Sequence, residues 1–257
     1  MSLKNDILTL LQLNNDTYIS GQQLAERFGK SRAAVWKAIK ALLKDGYIIN
    51  AVTNRGYLLT DSGDILNSAK IKAKMKHKIH VIHYKELDST NTQAKRLINN
   101  GDAGETLLIT ADRQSAGRGR QGKSFYSPEG TGIYMSLIVH PNTLLQNAVT
   151  TTTAAAVAVC RAIEELSDIK PKIKWVNDVY VENQKICGIL TEAVSDFELG
   201  IATSVIVGIG INIRTSDFPK EVINAGALNA DIKRADLIAA VADALLNIIG
   251  GEYKTFI

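Results

Sequence analysis

Leu3, Ile7, Leu10 and Leu11 recur at the three- and four-residue spacing of one helix face, so the chain opens with a predicted amphipathic helix. Ser20-Gly21-Gln22-Gln23 has the spacing of a capping box, in which hydroxyl and amide side chains satisfy the orphan N–H groups that begin a second helix. That helix runs to about Phe28 and ends at Gly29. Ser31 can cap a third helix with the apolar face Val35, Ile39, Leu42 and Leu43, stopped at Gly46. Two predicted strands follow, Tyr47-Ile48-Ile49 and Gly56-Tyr57-Leu58-Leu59, around the turn Thr53-Asn54-Arg55-Gly56. Beyond them the pattern changes. Strands rich in Val, Ile and Thr, over 106–110, 133–139 and 186–193, alternate with helical stretches over 92–98 and 235–249, as in a mixed α/β domain.

Composition narrows the class. Hydrophobic residues make up 46% of the chain and charged residues 22%, which excludes a disordered protein. The apolar runs, such as 203–213, fall short of the roughly 18 residues that span a bilayer. Met1-Ser2-Leu3-Lys4-Asn5-Asp6 has no signal-peptide pattern, so a cytoplasmic protein without a membrane partner is expected. Cys160 and Cys187 lack C-x-x-C spacing, which argues against a disulfide framework or a Cys-rich zinc site.

The distribution of charge matters more than its net value of +4. Residues 1–62 hold eight basic and five acidic side chains, and 65–84 hold Lys70, Lys72, Lys74, Lys76 and Lys78 with no acid, so the remainder is net acidic. This shift suggests a first domain over 1–62, a basic linker over 63–80 and a second domain over 81–257. In the first, two short helices, a tight turn, a third helix bearing Arg32, Lys37, Lys40 and Lys44, and a hairpin with a basic tip fit a winged helix-turn-helix. A plain three-helix bundle with one solvated basic face is the alternative. On the first reading Ser31 and Arg32 lie at the helix end that approaches base edges, where Arg32 can donate two hydrogen bonds to guanine. Lys37, Lys40 and Arg55 would hold phosphate. One module of this modest charge binds weakly, so a dimer on a two-part site is expected.

Three clusters in the second region carry chemistry. Gly117-Arg118-Gly119-Arg120-Gln121-Gly122-Lys123 matches G-x-G-x-x-G literally, but no helix follows it, and that argues against a dinucleotide fold. What remains is a loop that exposes backbone N–H groups and gathers Arg118, Arg120 and Lys123, suited to a polyanion. Lys174-Trp175-Val176-Asn177-Asp178-Val179 reads as the end of an apolar strand and a turn, followed by Lys185 at the start of a buried strand. Lysine there is either a snorkelling surface residue or a point charge for a phosphate. Glu192 on the same strand either joins the site or faces solvent. Asp88-Ser89-Thr90-Asn91 is an N-cap signal whose hydroxyls and amide can also bind a polar ligand head.

In this order, with Ser127-Pro128, Gly188-Ile189-Leu190 and Gly208-x-Gly210-x-Asn212, these clusters resemble the biotin protein ligases over nearly the whole chain. The helix-turn-helix in front narrows the resemblance to the bifunctional class II biotin–[acetyl-CoA-carboxylase] ligases that also repress the biotin operon. The resemblance implies an α+β protein: a winged helix-turn-helix followed by a class II synthetase-like mixed α/β catalytic domain. It implies that biotin and ATP, with Mg²⁺ carried on the substrate and no fixed protein metal site, give biotinyl-5′-AMP, from which biotin passes to a lysine of the biotin carboxyl carrier protein. By this analogy Lys185, Arg118 and Asp178 are catalytic. Ser89, Thr90, Asn91, Gln114, Gly117, Arg118, Gly119, Arg120, Lys185 and Gly188 bind biotin, and Arg118, Arg120, Lys123, Phe125, Asn177 and Asn212 bind ATP. The adenylate would favour a homodimer on operator DNA.

The chain departs from the family at three places. Val176 stands where proline is usual, and Phe125 where tryptophan is frequent. Relatives continue into an SH3-like barrel of about 50 residues, whereas this chain stops at Tyr253-Lys254-Thr255-Phe256-Ile257, so the barrel is expected to be absent. A biotin-sensing repressor with weak ligase activity and a lipoate-type ligase remain alternatives.

Overall fold

Three helices and a hairpin form where capping and periodicity predict them in the computed structural model, which describes residues 2–14, 17–61, 64–140, 143–144, 148–196 and 201–250. Tyr253–Ile257 lie outside the described residues. The chain divides into two compact units, 1–65 and 66–257.

The first unit consists of α1 (Leu3–Leu13), α2 (Gly21–Phe28), α3 (Arg32–Lys44), β1 (Ile48–Val52) and β2 (Gly56–Asp61). Both halves of the capping box on α2 are made: Gln23 N–H donates to Ser20 Oγ at 3.1 Å, and Ser20 N–H to Gln23 Oε1 at 2.8 Å. Ser31 caps α3 through the Ala34 N–H at 3.2 Å. Ile7, Leu11, Leu24, Val35, Ile39 and Leu42 are buried together with Ile49 and Leu59. Leu43, expected in this core, is 43% exposed; the apolar stripe instead runs through Ala38, because positions 35, 38, 39 and 42 share one face. Gly56 is required where it stands. Its φ is +109°, and a Cβ there would collide with the Ile19 carbonyl oxygen, because Ile19 pairs with Tyr57 beside the hairpin.

The second unit holds α4 (Ser68–Lys74), α5 (Thr90–Asn99), α6 (Ala148–Leu166), α7 (Arg234–Gly250) and eight strands. These are β3 (His80–Leu87), β4 (Leu107–Gln114), β5 (Gly132–Val139), β6 (Thr143–Leu144), β7 (Lys172–Lys174), β8 (Asp178–Val181), β9 (Gln184–Asp196) and β10 (Ile201–Asn212). They form one sheet in the order β3-β4-β5-β10-β9-β8-β7, with β6 also paired to β10. Only β3 and β4 run parallel among the described pairs. Alternation along the central strands sorts residues between two layers. Ile133, Met135, Leu137, Val205, Val207, Ile209 and Ile211 pack with α6 and α7. Ile138 and Ile206 turn to the opposite face and pack with Ala94 of α5.

The stretch read as a basic linker contains α4, which packs into this second unit. Ile71 is fully buried in the larger core, Lys74 pairs with Asp236 at 3.0 Å, and the Lys76 and His77 N–H groups donate to Asp243 at 2.7 and 3.0 Å. The run of lysines masked Ile71, the fourth residue of α4, which is buried in the same core as Leu66 just before the helix. The strand closed by Lys174 and Trp175, read as apolar, is exposed along all of β7, and Trp175 is 77% exposed, because β7 is the edge of the sheet.

Candidate functional sites

The sheet register builds the floor of a cleft of about 760 Å³ in the second unit. On β10 the alternate positions 206, 208, 210 and 212 share one face. Opposite them on β9 stand Glu192, Leu190 and Gly188, paired with Ile206, Gly208 and Gly210, while Ser136 and Tyr134 of β5 pair with Gly208 and Gly210 from the other side. Absent side chains at the glycines leave room for large neighbours. A Cβ on Gly208 would collide with the Asn91 amide, and one on Gly210 would lie 2.5 Å from the Phe125 ring. The same ring lies 3.3 Å from where a Gly188 Cβ would stand and meets Tyr134 edge-on at 6.3 Å.

At one end of the floor, polar groups are almost fully buried. Gln114 Oε1 accepts from the Thr90 N–H at 2.8 Å at the start of α5, and its amide donates to Ser127 Oγ at 2.9 Å. Ser136 donates to Asn91 Oδ1 at 2.6 Å and lies 2.7 Å from the Thr90 hydroxyl. Asn91 donates in turn to Glu192 at 2.9 Å. Ser89, the N-cap residue, makes no side-chain capping bond and lines the cleft instead. A buried network of this kind fixes one arrangement, since each broken bond would strand a desolvated partner.

The Gly-Arg loop forms a tight hairpin with a backbone frame of its own. Phe125 N–H donates to the Gly117 carbonyl at 2.8 Å and Gly119 N–H to the Lys123 carbonyl at 2.7 Å, around a short 3₁₀ turn over Arg120–Gly122. Arg118, Gly119, Arg120 and Lys123 line the cleft. Gly117 is buried at the base of the loop, where a Cβ would collide with the Phe125 carbonyl and lie 2.7 Å from Ser127 Oγ.

Cations and acids meet across the cleft. Lys185 Nζ lies 2.6 Å from Asp178 Oδ1, which also accepts from the Asn177 amide at 2.9 Å. Arg120 donates to Asn177 Oδ1 at 2.9 Å, joining the loop to the turn before β8. Arg118 lies 3.4 Å from Glu192, and Lys95 of α5 pairs with the same carboxylate at 2.7 Å. Burial raises the affinity of Glu192 for its proton, but hydrogen bonds from Lys95 and Asn91 and the charge of Arg118 outweigh it and leave the carboxyl below its ordinary range. Asn212 is buried and donates to the Gly226 carbonyl at 3.0 Å, while its Oδ1 has no partner. An unpartnered acceptor in a cleft wall is a place for a ligand donor.

Sequence reasoning did not find Ser136, Lys95 or the wall Phe218, Glu221, Val222, Ile223 and Ala225. The wall lies in a loop without periodicity. Ser136 is one hydroxyl in the apolar run Gly132–Val139, and its break in hydrophobicity was the available signal. Among the described residues no group of three or more His, Cys, Asp and Glu side chains is arranged to hold a metal ion, and no helix is long and apolar enough to cross a membrane.

The first unit presents a different surface. Arg32, Lys37 and Lys40 are exposed on α3, with Lys40 4.7 Å from the ring centre of Trp36, itself 51% exposed. At the hairpin tip Arg55 stacks 4.7 Å from the Tyr18 ring centre, and Tyr18 accepts from Asn50 at 2.9 Å.

Comparison with known proteins agrees with both units. The Biotin/lipoate A/B protein ligase family pattern matches residues 84–212, and an HTH domain pattern matches residues 4–58. The bifunctional ligase/repressor BirA of Bacillus subtilis (strain 168) is 40% identical over 226 residues, covering 86% of this chain and 69% of that protein. Its counterpart from Escherichia coli (strain K12) is 30% identical over 214 residues, covering 83% of this chain and 65% of that protein. Among solved structures, the biotin protein ligase from Aquifex aeolicus in complex with biotin and ATP superimposes with a TM-score of 0.57 at 30% identity, over 70% of this chain and 75% of that one. With the family pattern on the strands that build the cleft and a helix-turn-helix before it, the chain belongs to the biotin/lipoate A/B protein ligase family.

Proposed function

We propose that this chain is an ATP-dependent biotin protein ligase that also represses transcription by binding DNA. The observation that carries the reading is the convergence on one cleft of a buried amide and hydroxyl network, a loop with two arginines, and Lys185 held 2.6 Å from Asp178. Ser89, Thr90, Asn91 and Gln114 orient the biotin head, and Gly119, Arg120, Gly188 and Lys185 line the path to its carboxylate. Gly117 serves this set by shaping the base of the loop. Arg118, Arg120, Lys123, Phe125, Asn177 and Asn212 receive the nucleotide.

A biotin carboxylate oxygen forms a bond to the α-phosphorus of ATP while the bond to the β-phosphate oxygen breaks, giving biotinyl-5′-AMP and pyrophosphate. Both reactants are anionic, so the cations Lys185 and Arg118 lower the barrier by sitting where negative charge accumulates. The acceptor lysine amine of the biotin carboxyl carrier protein then attacks the acyl carbon, AMP leaves, and Asp178 takes the amine proton. Closing the Arg118–Lys123 hairpin over the mixed anhydride keeps water from it. Mg²⁺ would arrive on the triphosphate, and no step is routed through it.

In the first domain Ser31 sets the start of α3, Arg32 reads a base edge, and Lys37, Lys40 and Arg55 contact phosphates of an operator. Biotinyl-5′-AMP favours a homodimer, which binds a palindromic site. The domains are assigned as 1–62 and 81–257, with the α4 part of 63–80 belonging to the second, and the protein works in the cytoplasm. Exchange of labelled pyrophosphate into ATP with biotin or lipoate in turn tests the enzyme. Exchange with biotin alone supports it, exchange with lipoate alone favours a lipoate-type ligase, and none with either leaves only a repressor. Operator affinity that ignores biotin plus ATP defeats the coupling.

A further inference from the structure

Lys185 stands near the start of β9, beyond the reach of its central neighbour: the last β9–β10 pair is Cys187 with Ile211. A segment outside the named strands takes the vacated place. Lys185 N–H donates to the Asn224 carbonyl at 2.7 Å, and Gly226 N–H donates to the Lys185 carbonyl at 3.0 Å, so Ala225 forms a parallel bridge with Lys185. The segment is itself anchored to the sheet. Asn212 donates to the Gly226 carbonyl at 3.0 Å, and Leu228 N–H donates to the Asn212 carbonyl at 3.0 Å. Asn224 adopts φ +62°, a left-handed conformation that asparagine tolerates better than most residues. The same loop supplies Phe218, Val222, Ile223 and Ala225 to the cleft wall.

From this we infer that Asn224–Gly226 is a clasp that positions the Lys185 amine for the adenylation step. The inference rests on the ligase reading of Lys185. Both backbone groups of the lysine residue are held by the clasp, and the long side chain inherits its origin and direction from them. Displacement of a reacting cation by less than an ångström removes much of its contribution, because charge stabilisation depends on where the charge stands in the transition state. Gly226 has no room for a side chain: a Cβ there would lie 2.5 Å from both Cβ and Oε1 of Gln184, the residue next to Lys185. One of those contacts is with the root of the side chain, so rotation of Gln184 cannot relieve it.

The test is a cycle of four proteins assayed by biotin-dependent ATP–pyrophosphate exchange and by thermal unfolding: wild type, Gly226→Ala, Gln184→Gly and the double variant, with Lys185→Ala as reference. Gly226→Ala is expected to lower kcat ten- to a hundredfold while the KM for biotin changes less than twofold. Gln184→Gly should match wild type, and the double variant should recover most of the lost kcat, because the colliding Cβ is gone. Exchange lost in Lys185→Ala but unaltered in Gly226→Ala overturns the clasp alone. Loss of kcat and biotin affinity together with a lowered Tm, unrescued by Gln184→Gly, also overturns it by making Gly226 a folding residue. Exchange unaltered in Lys185→Ala overturns the reading of Lys185 and the clasp with it.

Discussion

Both units of this protein display clustered cations, and they hold them in opposite ways. In the cleft, Lys185 is fastened to Asp178, and Arg118 shares Glu192 with Lys95. On the first unit, none of Arg32, Lys37, Lys40 and Arg55 makes an ion pair among the described residues; Lys40 and Arg55 lie on the faces of Trp36 and Tyr18. Lys185 is partly buried, and an uncompensated charge there is costly, so it needs an acid nearby. An exposed cation is solvated already and needs only a surface that orients it. The cleft should therefore respond to single substitutions sharply and non-additively, and the exposed basic surface of the first unit in small increments.

Lys185→Ala tests the sharp side with the largest expected effect. Removing a cation aimed at developing charge should slow pyrophosphate exchange by about 10²–10³-fold, while circular dichroism and operator affinity without biotin stay as in wild type. Loss comparable to that of an exposed surface lysine, under about threefold, would erase the contrast between the two regions.

Gly208→Ala comes next. Its Cβ would collide with the Asn91 amide, so the bonds from Ser136 and to Glu192 must break or shift. Biotin affinity by calorimetry is expected to fall about tenfold or more, from the stranded polar partners. Adding Asn91→Ala to Gly208→Ala should cost little further, because both remove the same network. Additive losses would mean that the buried groups act separately.

These expectations mark what was legible from residues alone. The capping box Ser20–Gln23, the cap at Ser31, the hairpin turn and the Gly-Arg loop depend on neighbours within a few positions, and each was readable. Gly208, Gly210 and Asn212 were legible only as a motif of the family resemblance. That the face they share meets Ser136 on β5 and Glu192 on β9 depends on register between strands more than fifty residues apart in the chain for β5, and local pattern carries no such information. The wall around Phe218 and the clasp on Lys185 come from an irregular loop, where no period exists to be read. Ile71 was hidden differently, as one apolar anchor inside a charge-dense segment.

On the exposed side, Lys40→Ala should lower the slope of log Kobs against log salt concentration for operator binding by about 0.9. Sequence preference should not change. Arg32→Ala should instead relax discrimination at one base position in each half-site, by about 1–3 kcal/mol for a bidentate contact to guanine. Fluorescence anisotropy over a salt series with single-base operator variants separates the two. If Lys40→Ala alters base preference, or Arg32→Ala changes only the salt slope, the roles along α3 are exchanged.

The smallest effect concerns Glu192, where the cations of the cleft are held in reserve. Its folded-state pKa lies below the ordinary 4.5 because Lys95, Asn91 and Arg118 favour the carboxylate more strongly than burial opposes it. A depressed carboxylate contributes stability that is present above the unfolded-state pKa and lost as pH falls through the folded-state value. Glu192→Gln removes that dependence while keeping the shape and an amide oxygen for Asn91. The difference in unfolding free energy between wild type and Glu192→Gln should therefore be widest near pH 6 and shrink progressively below pH 4.5, as read by urea unfolding at a series of pH values. Because the group is partly solvated, the difference is expected to be small, of the order found for exposed ion pairs, about 1 kcal/mol or less. A gap that stays constant across this range would mean that the carboxylate is not linked to folding through its charge. The acid between Arg118 and Lys95 would then be a spacer, and the contrast with the unpaired cations on α3 would lose its electrostatic basis.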